Sequence, residues 1–351
     1  MNLRIAGFGI SELIPAAIGN LSNLKTMEIY CGGYIPGGYT SGTAPDTIGQ
    51  LNKLRFLILE GCYFSGRIPE SIANLTQLTK LDLSNNAFNG EIPSSIFTIP
   101  ALRVLDLSFN QLSGPIQEFN QALSQLESVD LSNNEFSDLA SLWRLKNIDI
   151  LLLSNNKLSV MDSEDLHGNK IYGQLPRGLS NCRSLEVLDF GSNRIVDIFP
   201  SWLSGLPKLS VIVLRSNQFY GTMNDIDGDT KSELSGEIPQ DLTNLTFLDV
   251  LNLSNNHLVG KIPQSHQLST FDSSSFEGNA GLCGPQLSDL PCDASPYDPG
   301  VTNKHKSSDH VDVVLFLFVG LGFGIGFASA IVVKWGQFGR WISATARASR
   351  T

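Results

Sequence analysis

Catalytic and metal sites are built mostly from histidine, cysteine and clustered carboxylates, and this chain of 351 residues offers five histidines and five cysteines. His167, His257, His266, His305 and His310 are scattered and show no base-and-nucleophile spacing. The cysteines form no CxxC or Cys/His pattern that would suggest a metal. The acidic turn DIDGDT at Asp225 resembles half a calcium loop but lacks the glutamate ligand at the required distance. No GxxxxGK[ST] loop is present to cradle a phosphate. No catalytic residue, cofactor or metal is expected, which leaves recognition chemistry.

Charge narrows the recognition further. All 34 acidic residues precede Val313, together with 20 basic ones, an excess of fourteen negative charges. Nucleic-acid binding needs clustered Lys and Arg, so it is excluded as a general role. Residues 313–333 carry no charge. At about 1.5 Å per residue they are long enough to cross a hydrocarbon core as one helix. The tail 334–351 holds Lys334, Arg340, Arg347 and Arg350 and no acid, which places it on the cytoplasmic side and the rest outside.

The elements that would position binding residues come from a repeat, LxxLxxLxLSxNxLxGxIP. Repeats start at Leu21, Leu51, Leu75, Ile99, Leu123, Leu145, Leu158, Cys182, Leu206 and Leu245, most often 24 residues apart. This is a leucine-rich repeat. The LxL pair, such as Leu81 and Leu83, points inward from a short strand while its neighbours face out. Stacked strands give an α/β-type solenoid, a horseshoe with a concave parallel sheet. The asparagine after each strand (Asn86, Asn110, Asn134, Asn156, Asn169, Asn193, Asn217 and Asn256) is expected to satisfy turn backbone in its own and the adjacent repeat. Cys62 takes that place once, as a small buriable substitute.

Residues 1–20 align with the second half of a repeat, and 21–264 hold the array. Irregular segments fall near 158–166 and 221–235, where Glu164 and Asp229 land on inward positions. Either is an island loop or a deletion joining two half-repeats. Residues 265–292 form a cap, with Cys283 and Cys292 read as a disulfide in an oxidising compartment. Cys31 and Cys62 lie at nearly matching positions in adjacent repeats, and a bond between them stays open; Cys182 is expected to be buried. Residues 293–312 are a polar extracellular stalk.

The GxIP elements, as at Gly66-Arg-Ile-Pro69 and Gly90-Glu-Ile-Pro93, resemble the plant-specific repeat subclass, whose convex segments add a second short sheet. With the cap FEGNAGLCG, stalk, membrane helix and short tail in order, the chain resembles the plant leucine-rich-repeat receptor-like proteins. The stretch from Leu242 to Pro285 is especially similar to the wilt- and mould-resistance class. The resemblance implies a single-pass type I plasma-membrane receptor that has no kinase. It would detect an extracellular peptide, protein or glycan, in defence or development, and signal through a partner receptor kinase. Residues 1–20 contain Arg4 and Glu12 and no apolar run, so they do not read as a leader, and the chain is expected to be a shortened form. The alternatives are a non-signalling decoy or enzyme-inhibitor-like module, or a non-functional product. Gly320, Gly322, Gly324 and Gly326 would let the partner's helix approach closely, although glycine is also common in membrane helices.

On the concave face most outward positions repeat Asp and Ser, read as scaffold through lateral hydrogen bonding. The departures are the ligand candidates: Tyr30, Phe56, Ile58, Glu60, Ile150, Leu152, Val213 and Arg215. Drift, or cover by a neighbouring loop, is the bland alternative. N-x-S/T sequons occur at Asn20, Asn74, Asn244 and Asn252; the last would place a glycan on the strand face.

Overall fold

Leucines alternating with polar residues make a strand with one apolar face, and that face can be buried only against its neighbours. In the computed structural model ten such strands form one parallel sheet in chain order: Asn2–Ala6, Thr26–Tyr30, Phe56–Glu60, Lys80–Asp82, Val104–Asp106, Ser128–Asp130, Ile150–Leu152, Val187–Asp189, Val211–Val213 and Val250–Asn252. Leu81, Leu83, Leu105, Leu107, Leu251 and Leu253 point into the core and are at most 2% exposed. Burying each contributes about 2 kcal/mol. The structure describes residues 1–6, 14–31, 42–138, 141–142, 145–158, 175, 177–220, 237–265, 267–287 and 292.

These residues belong to a unit spanning Met1–Ala294; a second unit, Ser295–Thr351, lies outside them. The stalk, the membrane segment with its four glycines and the basic tail are therefore outside the described residues. No helix among the described residues is long and apolar enough to cross a membrane.

The asparagine ladder holds adjacent repeats together. Asn86 Oδ1 accepts the N–H groups of Cys62 and Phe64, both at 3.0 Å, while its Nδ2 donates to the carbonyls of Leu59 and Leu83 at 2.6 and 3.0 Å. One side chain thus pairs buried backbone groups on two repeats. The residue before each ladder asparagine is left-handed, as at Asn85 (φ 57°) and Asn133 (φ 55°). Asparagine tolerates that region better than most residues, which accounts for the recurring SNN.

On the far side of the core, Gly66, Gly90, Gly114 and Gly260 have φ between 76° and 83°, where a side chain would be strained. Pro45, Pro69, Pro93 and Pro239 then cap 3₁₀ turns, and each carbonyl accepts an N–H three residues on, as from Ile72 to Pro69 at 3.1 Å. Short parallel strands join this layer: Gly42–Thr43, Phe64–Gly66, Ala87–Gly90 and Gln111–Leu112 form one sheet, and Val196–Ile198 pairs with Gln218–Tyr220.

The last strand of the main sheet is covered by the cap. Leu253 N–H donates to Ser275 O at 2.7 Å, and Asn279 extends the ladder by donating to Leu253 O at 2.9 Å. Cys283 and Cys292 are joined in a disulfide there.

Several expectations need correction. Leu158 does not start a repeat; it follows ladder residue Asn156, and its N–H donates to Asn193 Oδ1 at 3.1 Å. Strand Ile150–Leu152 pairs directly with Val187–Asp189. The ladder therefore passes from Asn156 to Asn193, and Asn169 lies outside the described residues. Strand Val211–Val213 likewise pairs directly with Val250–Asn252, and Asn256 takes the next ladder place by accepting the Phe219 N–H at 3.0 Å. Leu123 is 53% exposed rather than inward; Phe119 packs against the core instead, stacked on Phe97 at 4.9 Å between ring centres. Cys62 is not a free substitute for asparagine but is bonded to Cys31. Tyr30 and Glu60 are register partners, so the residues just past both strands meet.

Candidate functional site: the concave sheet face

Side chains at matching positions of neighbouring strands form columns across the concave face. One runs Glu28, Ile58, Asp82, Asp106, Asp130, Leu152, Asp189, Val213, Asn252, each in register with the next. Strands about 4.8 Å apart crowd these side chains. Ile58, Leu152 and Val213 are accordingly only 5–8% exposed, which corrects their reading as open apolar surface.

The remaining candidates fall into two groups. Tyr30 and Phe56 are half-buried and Glu60 is exposed, on adjacent strands. Arg4 lies 5.8 Å from the centre of the Tyr30 ring and pairs with Glu28 at 3.3 Å. Partial burial, then the charge of Asp82, raises the Glu60 carboxyl above its ordinary range, against the pull of Lys80. Burial likewise raises the Tyr30 hydroxyl, followed by Glu28 and Glu60. The second group is Ile150, half-buried, and Arg215, exposed, whose charge opposes the burial that raises Asp189.

Between the groups stand Asp82, Asp106 and Asp130. Ser84 donates to Asp82 Oδ1 through its hydroxyl at 2.7 Å and its N–H at 3.2 Å, and Ser108 does the same to Asp106 at 2.7 and 3.0 Å. These bonds run two residues along the same chain, whereas Asp189 is bonded laterally by Ser154 of the preceding repeat, so the expected lateral bonding holds at Asp189 and not at Asp82 or Asp106. Burial, then the charges of Asp130 and Asp82, pushes Asp106 up to about 7. Burial pushes Asp130 up to about 6 against its Ser132 bonds.

Sequence reasoning missed Phe109, which is 58% exposed with φ 53° in the ladder turn. The signal was readable, since LSFN stands where the neighbouring repeats have LSNN. Of the sequons, Asn20, Asn74 and Asn244 end 3₁₀ turns and are exposed. Asn252 is half-buried, and its Oδ1 accepts the Ser254 hydroxyl at 2.7 Å.

Comparison with known proteins gives the same architecture. Family models described as leucine rich repeat match residues 165–219, 53–75, 77–99 and 247–268, and a two-copy model matches 100–142. Receptor-like protein 43 of Arabidopsis thaliana is 35% identical over 129 residues, covering 34% of this chain and 16% of that protein. The chain carries leucine-rich repeats and is similar to the plant leucine-rich-repeat receptor-like proteins. Its match spans about a sixth of that relative's length. Among solved structures, a plant ice-binding protein superposes on this chain with TM-score 0.65 and 28% identity, covering 84% of each chain. The Arabidopsis receptor kinase HAESA, solved with the peptide hormone IDA and the co-receptor SERK1, gives TM-score 0.61 and 28% identity, covering 83% of this chain and 46% of that one.

Proposed function

We propose that this chain binds an extracellular peptide on its concave face. We also propose that it signals from the plasma membrane, in defence, through a receptor kinase that pairs with helix 313–333. The observation that carries the binding role is the joint departure of Tyr30, Phe56 and Glu60 from the Asp/Ser pattern on two adjacent strands. Aromatic side chains with a charged neighbour are typical contact anchors. HAESA, of similar fold, holds a peptide hormone and a co-receptor. An ice-binding role fits less well. Ser84, Ser108 and Ser132 are only 6–8% exposed, so they offer no free hydroxyl array.

A random peptide library panned on the solubilised full chain tests the reading. Wild type should enrich a peptide family, and the Tyr30→Ala/Phe56→Ala/Glu60→Lys variant should retain about a tenth of it or less. No enrichment, or equal enrichment, overturns the binding role. For signalling, a chain with Gly320, Gly322, Gly324 and Gly326 changed to Leu should lose co-purification of a kinase from plant membranes. Equal recovery overturns the lateral partner.

A further inference from the structure

Past each strand of the main sheet the chain turns at its ladder residue and enters the short second sheet, along the edge of the solenoid. Side chains alternate there as well. Phe64, Phe88 and Leu112 are at most 2% exposed, so the residues on either side of each face outward. On three successive turns the outward positions are 61, 63 and 65, then 85, 87 and 89, then 109, 111 and 113, and none of them is charged. Charges stand around this area, at Glu60, Arg67, Glu91 and Glu135.

Two of these outward residues are aromatic, and both sit in backbone that suits them poorly. Tyr63 has φ 58° and Phe109 φ 53°, a region that costs a bulky residue more than asparagine or glycine. The repeats flanking Phe109 fill its place with Asn85 and Asn133. At 58% exposure the Phe109 ring gains little packing to offset that cost. Strained backbone of this kind gathers where a protein binds something. Both aromatic residues are also fixed to one neighbour, Asn86. Its Oδ1 accepts the N–H groups of Cys62 and Phe64, on either side of Tyr63, both at 3.0 Å, and its own N–H donates to Phe109 O at 3.0 Å. Tyr63 and Phe109 therefore flank the row Asn85, Ala87, Asn89 from opposite sides, two strand spacings or about 10 Å apart.

The row between them is polar, neutral and unpaired. Ala87 is small and half-buried, which leaves a trough. Asn85 and Asn89 stand at its ends, with Gln111 in register beside Asn89. All three amides are exposed, and none is hydrogen-bonded to another group among the described residues. Asn85 Nδ2 lies over Gly61, 3.5 Å from where a Cβ would stand there. We propose that this turn edge binds an uncharged oligosaccharide, a site separate from the peptide face. A pyranose ring is apolar on its faces and carries hydroxyls around its rim. Tyr63 and Phe109 would meet the ring faces, and amides that both donate and accept would pair the hydroxyls. The spacing of the two aromatic residues calls for more than one linked ring. A uronic-acid chain would find no counter-ion within the row.

Titration calorimetry on the full chain in a sugar-free detergent is the test. Cellotriose and N-acetylchitotriose are the uncharged probes, trigalacturonate the acidic one and glucose the single ring. At least one uncharged trisaccharide should bind, about tenfold or more tighter than trigalacturonate or glucose. Phe109→Asn gives that backbone the residue of the flanking repeats, so it should melt no lower than wild type while binding about tenfold more weakly. Tyr63→Asn/Phe109→Asn should leave no measurable binding. Failure of both uncharged trisaccharides to bind overturns the proposal, as does equal binding of trigalacturonate. So does Phe109→Asn that binds normally, or that melts lower and so marks a structural residue. The same variant should keep the library peptides of the concave face; their loss would make this edge part of that face and sink the separate site. Sugar binding without any peptide enrichment would sink the peptide reading and leave this one standing.

Discussion

Cys62 occupies a ladder position without being an asparagine, and its surroundings show what an asparagine would find there. Its Sγ lies 3.6 Å from Ile29 O and 3.3 Å from Glu60 O. Ile29 is in register with Leu59, and Asn86 Nδ2 donates to Leu59 O and Ser84 O in the next repeat. The disulfide to Cys31 thus replaces ladder bonds between the turns that follow strands Thr26–Tyr30 and Phe56–Glu60. Removing it as Cys31→Ala/Cys62→Ala should destabilise by about 3 kcal/mol. Cys31→Ala/Cys62→Asn should recover about 1–2 kcal/mol of that loss, because the amide can donate to the Ile29 and Glu60 carbonyls as the ladder asparagines do to theirs. Denaturant unfolding under reducing and non-reducing conditions measures both. No difference between the Ala and Asn variants would mean the position is not a ladder site.

At the scale of elements, alternation within each strand was readable, and so was each column's membership. Leu81 and Leu83 point inward and Asp82 outward because successive side chains take opposite faces. Exposure was not readable, since it depends on how tightly neighbouring strands crowd Ile58 and Val213. Leu158 was misplaced because an apolar residue recurs both at repeat starts and two places after each ladder asparagine. Leu123 failed because Phe119, four residues earlier, fills the core there. The column of aspartates has a measurable consequence. Asp106 and Asp130 are raised to about 7 and about 6 from ordinary values near 3.8. The folded chain therefore holds protons that the unfolded chain has released. That contribution is complete below about pH 3.8 and is lost as pH rises through about 6–7. From this column the chain should melt higher at pH 5 than at pH 8. Asp106→Asn/Asp130→Asn should flatten the difference, since Asn252 already serves the same column by accepting from Ser254 at 2.7 and 3.1 Å. A midpoint that falls on acidification, or that is unchanged by the substitutions, counts against this assignment.

Across the whole array, nearest-neighbour stacking repeats one surface many times, so equivalent residues lie along common edges. Asn20, Asn74 and Asn244 each end a 3₁₀ turn and are exposed, which places these three sequons on one edge, away from the strand face. Asn252 belongs to a strand, is half-buried and has its side-chain oxygen bound to Ser254. A transferase needs an accessible amide on a chain segment it can bend, and the turn ends supply this better than the sheet does. A full chain expressed in a secretory pathway should carry glycans at Asn20, Asn74 and Asn244 and essentially none at Asn252, as read by mass spectrometry of its peptides. Sugars on that edge would leave the concave columns open, so a ligand reaches Tyr30, Phe56 and Glu60 without crossing them. Substantial occupancy at Asn252 would put a bulky polymer on the proposed docking surface and exclude a peptide from its C-terminal end. A secreted chain that carries no glycan at Asn20, Asn74 or Asn244 would count against that edge being open to the transferase.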